Sequence, residues 1–228
     1  YLYNHILDYP RGEALQHNYY GPEYSDDKIE MELKTFGVAY SKEKDICQSV
    51  AKLLSEGKIV GWFQGRMEFG QRALGNRSIL ADPRSLEMKD RVNLAVKFRE
   101  AFRPFAPAVL KEHQHEYFEI NNGDIIPFME KVVKVKDGVK NKIPAVVHED
   151  GTGRAQTVDK NTNEKFYNLI KEFDTITGVP VLLNTSFNLN GEPIVCSPKD
   201  AIRTFHSCGL DYLAIGNYLI KKGNSNDK

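Results

Sequence analysis

Seven of the chain's ten arginines fall within residues 66–103. The first three, Arg66, Arg72 and Arg77, lie six and five residues apart with glycines between them, a spacing that fits no single helix face. Such a stretch must be a loop that folds back, and we expect it to bring the arginines together. Convergence of like charges is unfavourable unless an anion lies between them. The alternative is a surface loop in which each arginine pairs separately with a carboxylate or a backbone carbonyl group.

The charge of this region differs from that of the whole chain. Residues 65–103 contain nine Lys and Arg against five Asp and Glu, whereas the complete sequence balances 31 against 31. Positive charge concentrated on a neutral chain indicates a local anion site rather than a general polyanion-binding surface. The guanidinium fork suits phosphate and carboxylate, which it binds with two parallel hydrogen bonds. Nucleic acid is therefore not expected as a partner.

The composition places the chain in a broad class. With 228 residues, 41% of them hydrophobic and 27% charged, it is typical of a globular protein of one domain, or of one domain with an appendage. No apolar run approaches the roughly 20 residues that cross a bilayer, so no membrane association is expected. Three cysteines without a CxxC pair favour buried thiols in a reducing cytoplasm. The sequence begins without Met, and we expect a fragment of a longer protein.

Hydrophobic periodicity predicts an α/β protein, α+β in strict usage, with a mixed twisted sheet flanked by helices. Several strands are consecutive, so the sheet cannot be purely parallel. Predicted strands cover 58–63, 78–82, 105–110, 129–135, 145–147, 154–158, 179–183, 212–215 and 218–220, and predicted helices begin at Ser25, Ile46, Asp82, Phe166 and Pro198. We expect residues 1–24 to be a linker or strap from a missing N-terminal domain, 25–222 to be the folded domain, and 223–228 to be a disordered tail.

Three polar segments each follow or flank a predicted strand or helix. They are the arginine-rich stretch from residue 65, the segment KFRE at 97–100 with Arg103 after it, and NTSFNLNGEP at 184–193. Loops at strand ends commonly meet to form ligand sites in layered α/β folds. The amide and hydroxyl groups of 184–193 suit a ribose, a base edge or a carbamoyl amide. An ordinary Asx and Gly turn is the alternative for this last segment.

Motifs for other chemistries are absent. His113 and His115 are more simply surface residues than metal ligands, and no HxxxH, HExxH or Cys/His cluster occurs. We therefore expect no protein-bound metal in this chain. The stretch GRMEFGQRALG lacks the Lys-Ser/Thr ending of a phosphate-binding P-loop, and no GxSxG nucleophile motif is present.

Three motifs carry a family resemblance. GRMEFGQRALGNRSILADPR, KFREAFRPFAP and VPVLLNTSFNLNGEPIV resemble the C-terminal domain of the NodU/CmcH/TobZ-type O-carbamoyltransferases over about residues 20–220. That domain is similar in turn to the YrdC-like fold of threonylcarbamoyl-adenylate synthases. Their Lys-x-Arg motif is echoed by Lys97 and Arg99, and their Ser-x-Asn motif by Ser186 and Asn188. One departure is Gln71, where the family pattern has Pro.

The resemblance implies a function beyond what composition shows. Such a domain uses carbamoyl phosphate and ATP, with Mg²⁺ arriving on the ATP, to make a carbamoyl-adenylate. A separate actin-like, metal-binding N-terminal domain of the same polypeptide passes the carbamoyl group to an acceptor hydroxyl. The implied catalytic residues are Arg72, Arg77, Lys97 and Arg99, and the implied substrate- and nucleotide-binding residues are Arg66, Asn76, Ser78, Arg103, Arg154, Asn184, Ser186 and Asn188.

Two other functions remain open from the sequence. YrdC-like proteins can present a basic concave face to RNA, although the neutral charge of this chain argues against that use. A non-catalytic nucleotide sensor would bind ATP without releasing pyrophosphate. The sequence does not identify the acceptor, and it is compatible with a homodimer.

Overall fold

A computed structural model describes residues 1–98 and 103–223 of the chain. Its strands are β1 (Ser41–Lys42), β2 (Val60–Phe63), β3 (Arg77–Ala81), β4 (Ala106–Leu110), β5 (Val133–Lys134), β6 (Thr152–Gly153), β7 (Gln156–Val158), β8 (Val181–Ser186), β9 (Tyr212–Ile215) and β10 (Tyr218–Lys221). Its α-helices are α1 (Asp26–Thr35), α2 (Ile46–Ser55), α3 (Glu87–Val92), α4 (Gln114–Tyr117), α5 (Glu164–Thr177) and α6 (Pro198–His206). Short π-helical turns cover Leu2–Ile6 and Asn93–Lys97, and 3₁₀ turns cover Lys111–His113, Asp137–Lys142 and Pro144–Val146.

Eight of these strands form one mixed sheet in the order β1-β10-β9-β2-β3-β8-β4-β7. The pairs β2–β9 and β4–β7 are parallel, and the other neighbours in the sheet are antiparallel. Strands β5 and β6 form a separate two-stranded sheet. Helices α2 and α5 pack on each other and against the sheet, and α6 packs against the sheet and against α1. The predicted mixed sheet with flanking helices is therefore confirmed.

Local sequence signals place several helix ends correctly. The Ser25 side chain accepts the Lys28 N–H at the start of α1. The side chain of Asn163 caps α5, and Gly178 ends that helix in the left-handed region at φ 70°. Ser197 and Asp200 form a reciprocal capping box at α6. These residues satisfy backbone groups that a helix end would otherwise leave unpaired.

Three predicted elements differ in the structure. The helix expected from Asp82 begins only at Glu87, because the Asp82 carboxylate accepts hydrogen bonds from the Arg84 guanidinium and backbone N–H instead of capping a helix. The strand expected over 129–135 is confined to Val133–Lys134, because Met129 adopts a left-handed conformation at φ 56°. The strand expected at 145–147 is instead a 3₁₀ turn at Pro144–Val146.

One end of the main sheet collects the polar segments. The parallel and antiparallel pairings put the C-terminal ends of β2, β8 and β9 beside the N-terminal ends of β3 and β4. The arginine loop, which we define as residues 64–76 between β2 and β3, lies at this end. The backbone of residues 18–22 runs along the loop and exchanges hydrogen bonds with Met67 and Phe69. No helix in the described ranges is both long and apolar enough for a membrane span.

Candidate functional site

A buried carboxylate organises the arginine loop. One oxygen of Glu68 accepts the backbone N–H groups of Leu74 and Asn76 at 2.7 Å and that of Arg77 at 3.3 Å. Burial raises the pKa of Glu68, while the backbone N–H groups and Arg77 act in the opposite direction. Gly75 is required in the same turn, because a Cβ there would lie 2.2 Å from the Phe166 ring. The loop is thus held in one shape from inside.

Arg77 belongs to this internal framework. Its side chain is fully buried, with the guanidinium carbon 3.6 Å from the centre of the Phe63 ring. It donates to the carbonyl oxygens of Gln64, Gly65, Asn76 and Pro22. Burial lowers the pKa of Arg77 to about 10, and the nearby Glu68 opposes that shift. The predicted convergence of Arg77 with Arg72 on an anion is not observed, because both terminal nitrogens of Arg77 donate to these carbonyl groups and the side chain is buried.

Three other predicted binding residues make contacts within the protein. Arg66 is exposed and donates to the Tyr20 carbonyl oxygen at 3.1 Å. Asn76 donates to the Arg66 carbonyl oxygen and accepts from Asn163, which ties the loop to the start of α5. Ser78 is buried and accepts the Gly75 N–H. The contacts of all three support the loop or the strand that follows it.

Four of the predicted residues, Arg72, Arg154, Asn184 and Ser186, line one cleft. This arginine cleft has a cavity volume of about 80 Å³ and is lined by Gln71, Arg72, Ala73, Pro104, Phe105, Ala106, Met129, Arg154, Asn184, Thr185 and Ser186. None of these lining residues is acidic. Arg72 is half-buried and makes no hydrogen bond or ion pair within the described ranges. The described part of the cleft lining therefore presents two guanidinium groups, that of Arg72 with open donors, and no carboxylate.

Lys97 lies against the Ser-x-Asn segment beside this cleft. Its ammonium group is 2.7 Å from the Ser186 carbonyl oxygen, 3.0 Å from the Asn188 carbonyl oxygen and 2.8 Å from Asn188 Oδ1. Asn188 Oδ1 also accepts from the Ser186 hydroxyl. The structure thus joins the two motifs that the sequence placed 89 residues apart. The amide and hydroxyl of the Ser-x-Asn pair bind the lysine, and the lysine fixes the end of β8.

A buried amide network backs the cleft. Asn184 Nδ2 donates to the Gln156 side-chain oxygen at 2.8 Å and to the Ala73 carbonyl oxygen at 3.2 Å. Gln156 Nε2 donates to the Leu74 carbonyl oxygen at 2.8 Å. Sequence reasoning selected Asn184 but missed Gln156, which lies two residues after Arg154 in a predicted strand. That spacing on one strand face was the available signal, since residues two apart point the same way.

Two further predicted residues and two missed ones complete the site. Arg103 is exposed and adjoins Pro104 of the cleft lining, and Arg99 falls outside the described residues. Sequence reasoning missed Glu68, the one acidic residue within the arginine loop, and Met129, whose strained backbone forms part of the cleft wall. Among the described residues, no three His, Cys, Asp or Glu side chains are grouped to hold a metal ion.

The chain matches a known protein family over the segment that contains these motifs. A family model described as the carbamoyltransferase C-terminus matches residues 51–222, which include the arginine loop, Lys97 and the Ser-x-Asn segment. The chain belongs to this family. It is 50% identical over 214 residues to the nodulation protein NolNO of Sinorhizobium fredii (strain NBRC 101917 / NGR234), covering 92% of this chain and 32% of that protein.

Another relative comes from an archaeon. The chain is 41% identical over 216 residues to the uncharacterized protein MJ1058 of Methanocaldococcus jannaschii, covering 91% of this chain and 35% of that protein. The chain therefore spans about a third of the length of both relatives.

Solved structures show the same fold at low sequence identity. Full-length HypF in its phosphate- and nucleotide-bound form superposes with a TM-score of 0.52 at 18% identity, covering 76% of this chain and 25% of that one. Sua5 of P. abyssi complexed with L-threonine gives 0.51 at 16% identity, covering 75% and 46%. Both carry YrdC-like domains, so the expected YrdC-like fold is confirmed.

Proposed function

We propose that this chain is the part of an O-carbamoyltransferase that binds carbamoyl phosphate and ATP and forms a carbamoyl-adenylate. Water first breaks the bond between the carbamoyl group and the phosphate, which gives carbamate and inorganic phosphate. A carbamate oxygen then bonds to the α-phosphorus of ATP, the bond to the β-phosphate oxygen breaks, and pyrophosphate leaves. Both reactants are anionic, and the transferring phosphoryl group gathers charge on its oxygens.

The observation that carries this proposal is the arginine cleft. Arg72 and Arg154 both line it, its described lining contains no carboxylate, and Arg72 has open donors. A fixed set of guanidinium groups can stabilise a phosphate without reorganising when charge develops. We assign the carbamoyl phosphate to this cleft. Because Arg77 is buried and donates to carbonyl groups, we propose a structural role for it and propose Arg72 and Arg154 as the principal anion ligands.

The ATP contact is proposed on the adjoining segment. Lys97 holds the Ser186–Asn188 stretch through four oxygen atoms and adds a positive charge at the end of β8. Arg99 and Arg103 follow Lys97 closely in sequence and are retained as proposed phosphate ligands. Mg²⁺ would arrive with the nucleotide, as it commonly does in phosphate sites.

Transfer of the carbamoyl group is proposed to need more than this chain. Its relatives are about three times as long, and we assign the acceptor hydroxyl to an actin-like, metal-binding N-terminal domain of the same polypeptide. A chain of residues 1–228 by itself should therefore not carbamoylate an acceptor. A cytoplasmic location and a homodimer stay predictions.

The test is calorimetry of the protein with ATP and with carbamoyl phosphate, each with and without Mg²⁺, together with pyrophosphate release. We expect saturable binding of both ligands and pyrophosphate release that depends on carbamoyl phosphate. Arg72→Leu should abolish carbamoyl phosphate binding, whereas Arg203→Leu, which removes the same charge from the exposed face of helix α6, should leave it unchanged. ATP binding without pyrophosphate release would favour a nucleotide sensor, and salt-sensitive RNA binding without ATP binding would favour an RNA-binding module.

A further inference from the structure

The hydrogen-bond network behind the arginine cleft fixes the orientation of two side-chain amides. The Leu74 carbonyl oxygen can only accept, so the amide nitrogen of Gln156 faces it and the Gln156 oxygen faces Asn184. The Ala73 carbonyl oxygen, 3.2 Å from Asn184 Nδ2, demands the same orientation from Asn184. The Tyr19 hydroxyl also donates to the Leu74 carbonyl oxygen, which holds that acceptor in place. Neither amide can be turned over without placing two oxygens against each other.

This orientation leaves one buried acceptor unused. Asn184 is 1% exposed and lines the arginine cleft, and its Oδ1 accepts no hydrogen bond within the described ranges. Buried side-chain oxygens in native proteins nearly always have a partner, because leaving one unpaired costs free energy. The other groups of this amide are committed to the protein, so the unused Oδ1 is the group available to a ligand.

The chemistry of the cleft limits what that ligand is. Arg72 and Arg154 attract an anion, but an oxygen of a phosphate dianion is an acceptor and cannot satisfy Asn184 Oδ1. A matching ligand combines a phosphate with a nearby N–H or O–H donor. Carbamoyl phosphate has this combination, with an amide NH₂ on the carbon that bears the phosphate oxygen.

We infer that Asn184 Oδ1 recognises the NH₂ group of the carbamoyl substrate and makes the cleft selective for a carbamoyl over an acyl phosphate. This inference rests on the proposed function, because it takes carbamoyl phosphate as the occupant of the cleft. An acyl phosphate has no N–H group for Asn184 Oδ1, so its binding leaves that buried oxygen unpaired and is weakened by the free-energy cost. A site built to pair a polar group rejects analogues that lack it more strongly than a hydrophobic pocket rejects a change in size.

The experiment compares carbamoyl phosphate with acetyl phosphate, which has a methyl group in place of the NH₂. Binding of each is measured by calorimetry, with inorganic phosphate as a reference for the arginines. We expect the wild-type protein to bind carbamoyl phosphate at least about tenfold more tightly than acetyl phosphate. Asn184→Leu should bring this ratio close to one and leave the affinity for acetyl phosphate within about twofold.

The matched control is Gln114→Leu, which removes a buried carboxamide whose partners, Thr157 and Asp124, do not line the arginine cleft. It should keep the wild-type ratio. Equal binding of carbamoyl and acetyl phosphate by the wild-type protein overturns the inference even if Asn184→Leu does not fold. Preserved selectivity in a folded Asn184→Leu protein, or a loss confined to ATP, also overturns it. Failure of the wild-type protein to bind any of the three phosphates would instead reject the proposed function.

Discussion

Arg72 in the arginine loop and Arg77 at the start of β3, five residues further along the chain, have completely different surroundings. Arg72, on the cleft flank, is half-buried with open donors beside Arg154. Arg77, on the inner flank, is fully buried against Phe63 and donates to four carbonyl oxygens. One residue type thus supplies both the proposed ligand-binding charge and the framework that positions it. The comparison separates two kinds of substitution: those at the inner flank, which should destabilise the protein, and those at the cleft flank, which should only weaken ligand binding.

The largest effect should come from removing the carboxylate that holds the inner flank. Glu68→Ala leaves three backbone N–H groups without their acceptor, and each unpaired buried group costs about 1–3 kcal/mol. We expect a loss of at least about 3 kcal/mol in the free energy of unfolding, measured by urea denaturation. Glu68→Gln is the control, since its side-chain oxygen can still accept these bonds. An unchanged unfolding midpoint for Glu68→Ala would show that the loop does not depend on this carboxylate.

The next effect tests the inner arginine itself. Arg77→Lys keeps the charge but loses the guanidinium fork that reaches several carbonyl groups at once. We expect a loss of about 2 kcal/mol in the free energy of unfolding. Carbamoyl phosphate affinity, measured by calorimetry on the folded protein, should stay within about twofold. A large fall in carbamoyl phosphate affinity without a fall in the free energy of unfolding would show that Arg77 binds the anion, and would contradict the assigned difference between the two arginines.

The same substitution on the cleft flank should give the opposite pattern. Arg72→Lys should weaken carbamoyl phosphate binding by about tenfold, because a point charge replaces a bidentate fork. The free energy of unfolding should change by less than about 0.5 kcal/mol, since Arg72 makes no hydrogen bond within the described ranges. Paired calorimetry and urea denaturation of the two lysine variants measure both quantities. Equal effects of Arg72→Lys and Arg77→Lys on the free energy of unfolding would contradict the assignment of a structural role to Arg77 and a binding role to Arg72.

The smallest effect is expected at the exposed base of the loop. Arg66→Ala removes one hydrogen bond, from the guanidinium to the Tyr20 carbonyl oxygen at 3.1 Å. We expect a loss of about 0.5 kcal/mol in the free energy of unfolding and no change in carbamoyl phosphate affinity. Reduced carbamoyl phosphate affinity in this variant would show that Arg66 contributes to ligand binding, which is the role that the sequence predicted for it.

The sequence anticipated the cleft better than it anticipated the inner flank. The motif resemblance and the placement of polar segments at strand ends led to Arg72, Arg154, Asn184 and Ser186, which the structure brings together. Periodicity could not separate Arg72 from Arg77, because Arg72 lies in a loop without regular secondary structure and the predicted strand at 78–82 began one residue after Arg77. Burial of Arg77 depends on carbonyl groups contributed by residues far apart in the chain, such as Pro22.

Sequence alone determined features that depend on neighbouring residues: the start of α1 at Ser25 and the interleaving of helices and strands. The sequence also identified the family, because each of the three motifs is a continuous segment of the chain. Tertiary structure decided which donors remain open. The orientation of Asn184 depends on Gln156 and Ala73, which only the folded sheet brings beside it. Hydrogen-bond satisfaction is a property of the packed interior, so it cannot be assigned from the order of residues along the chain.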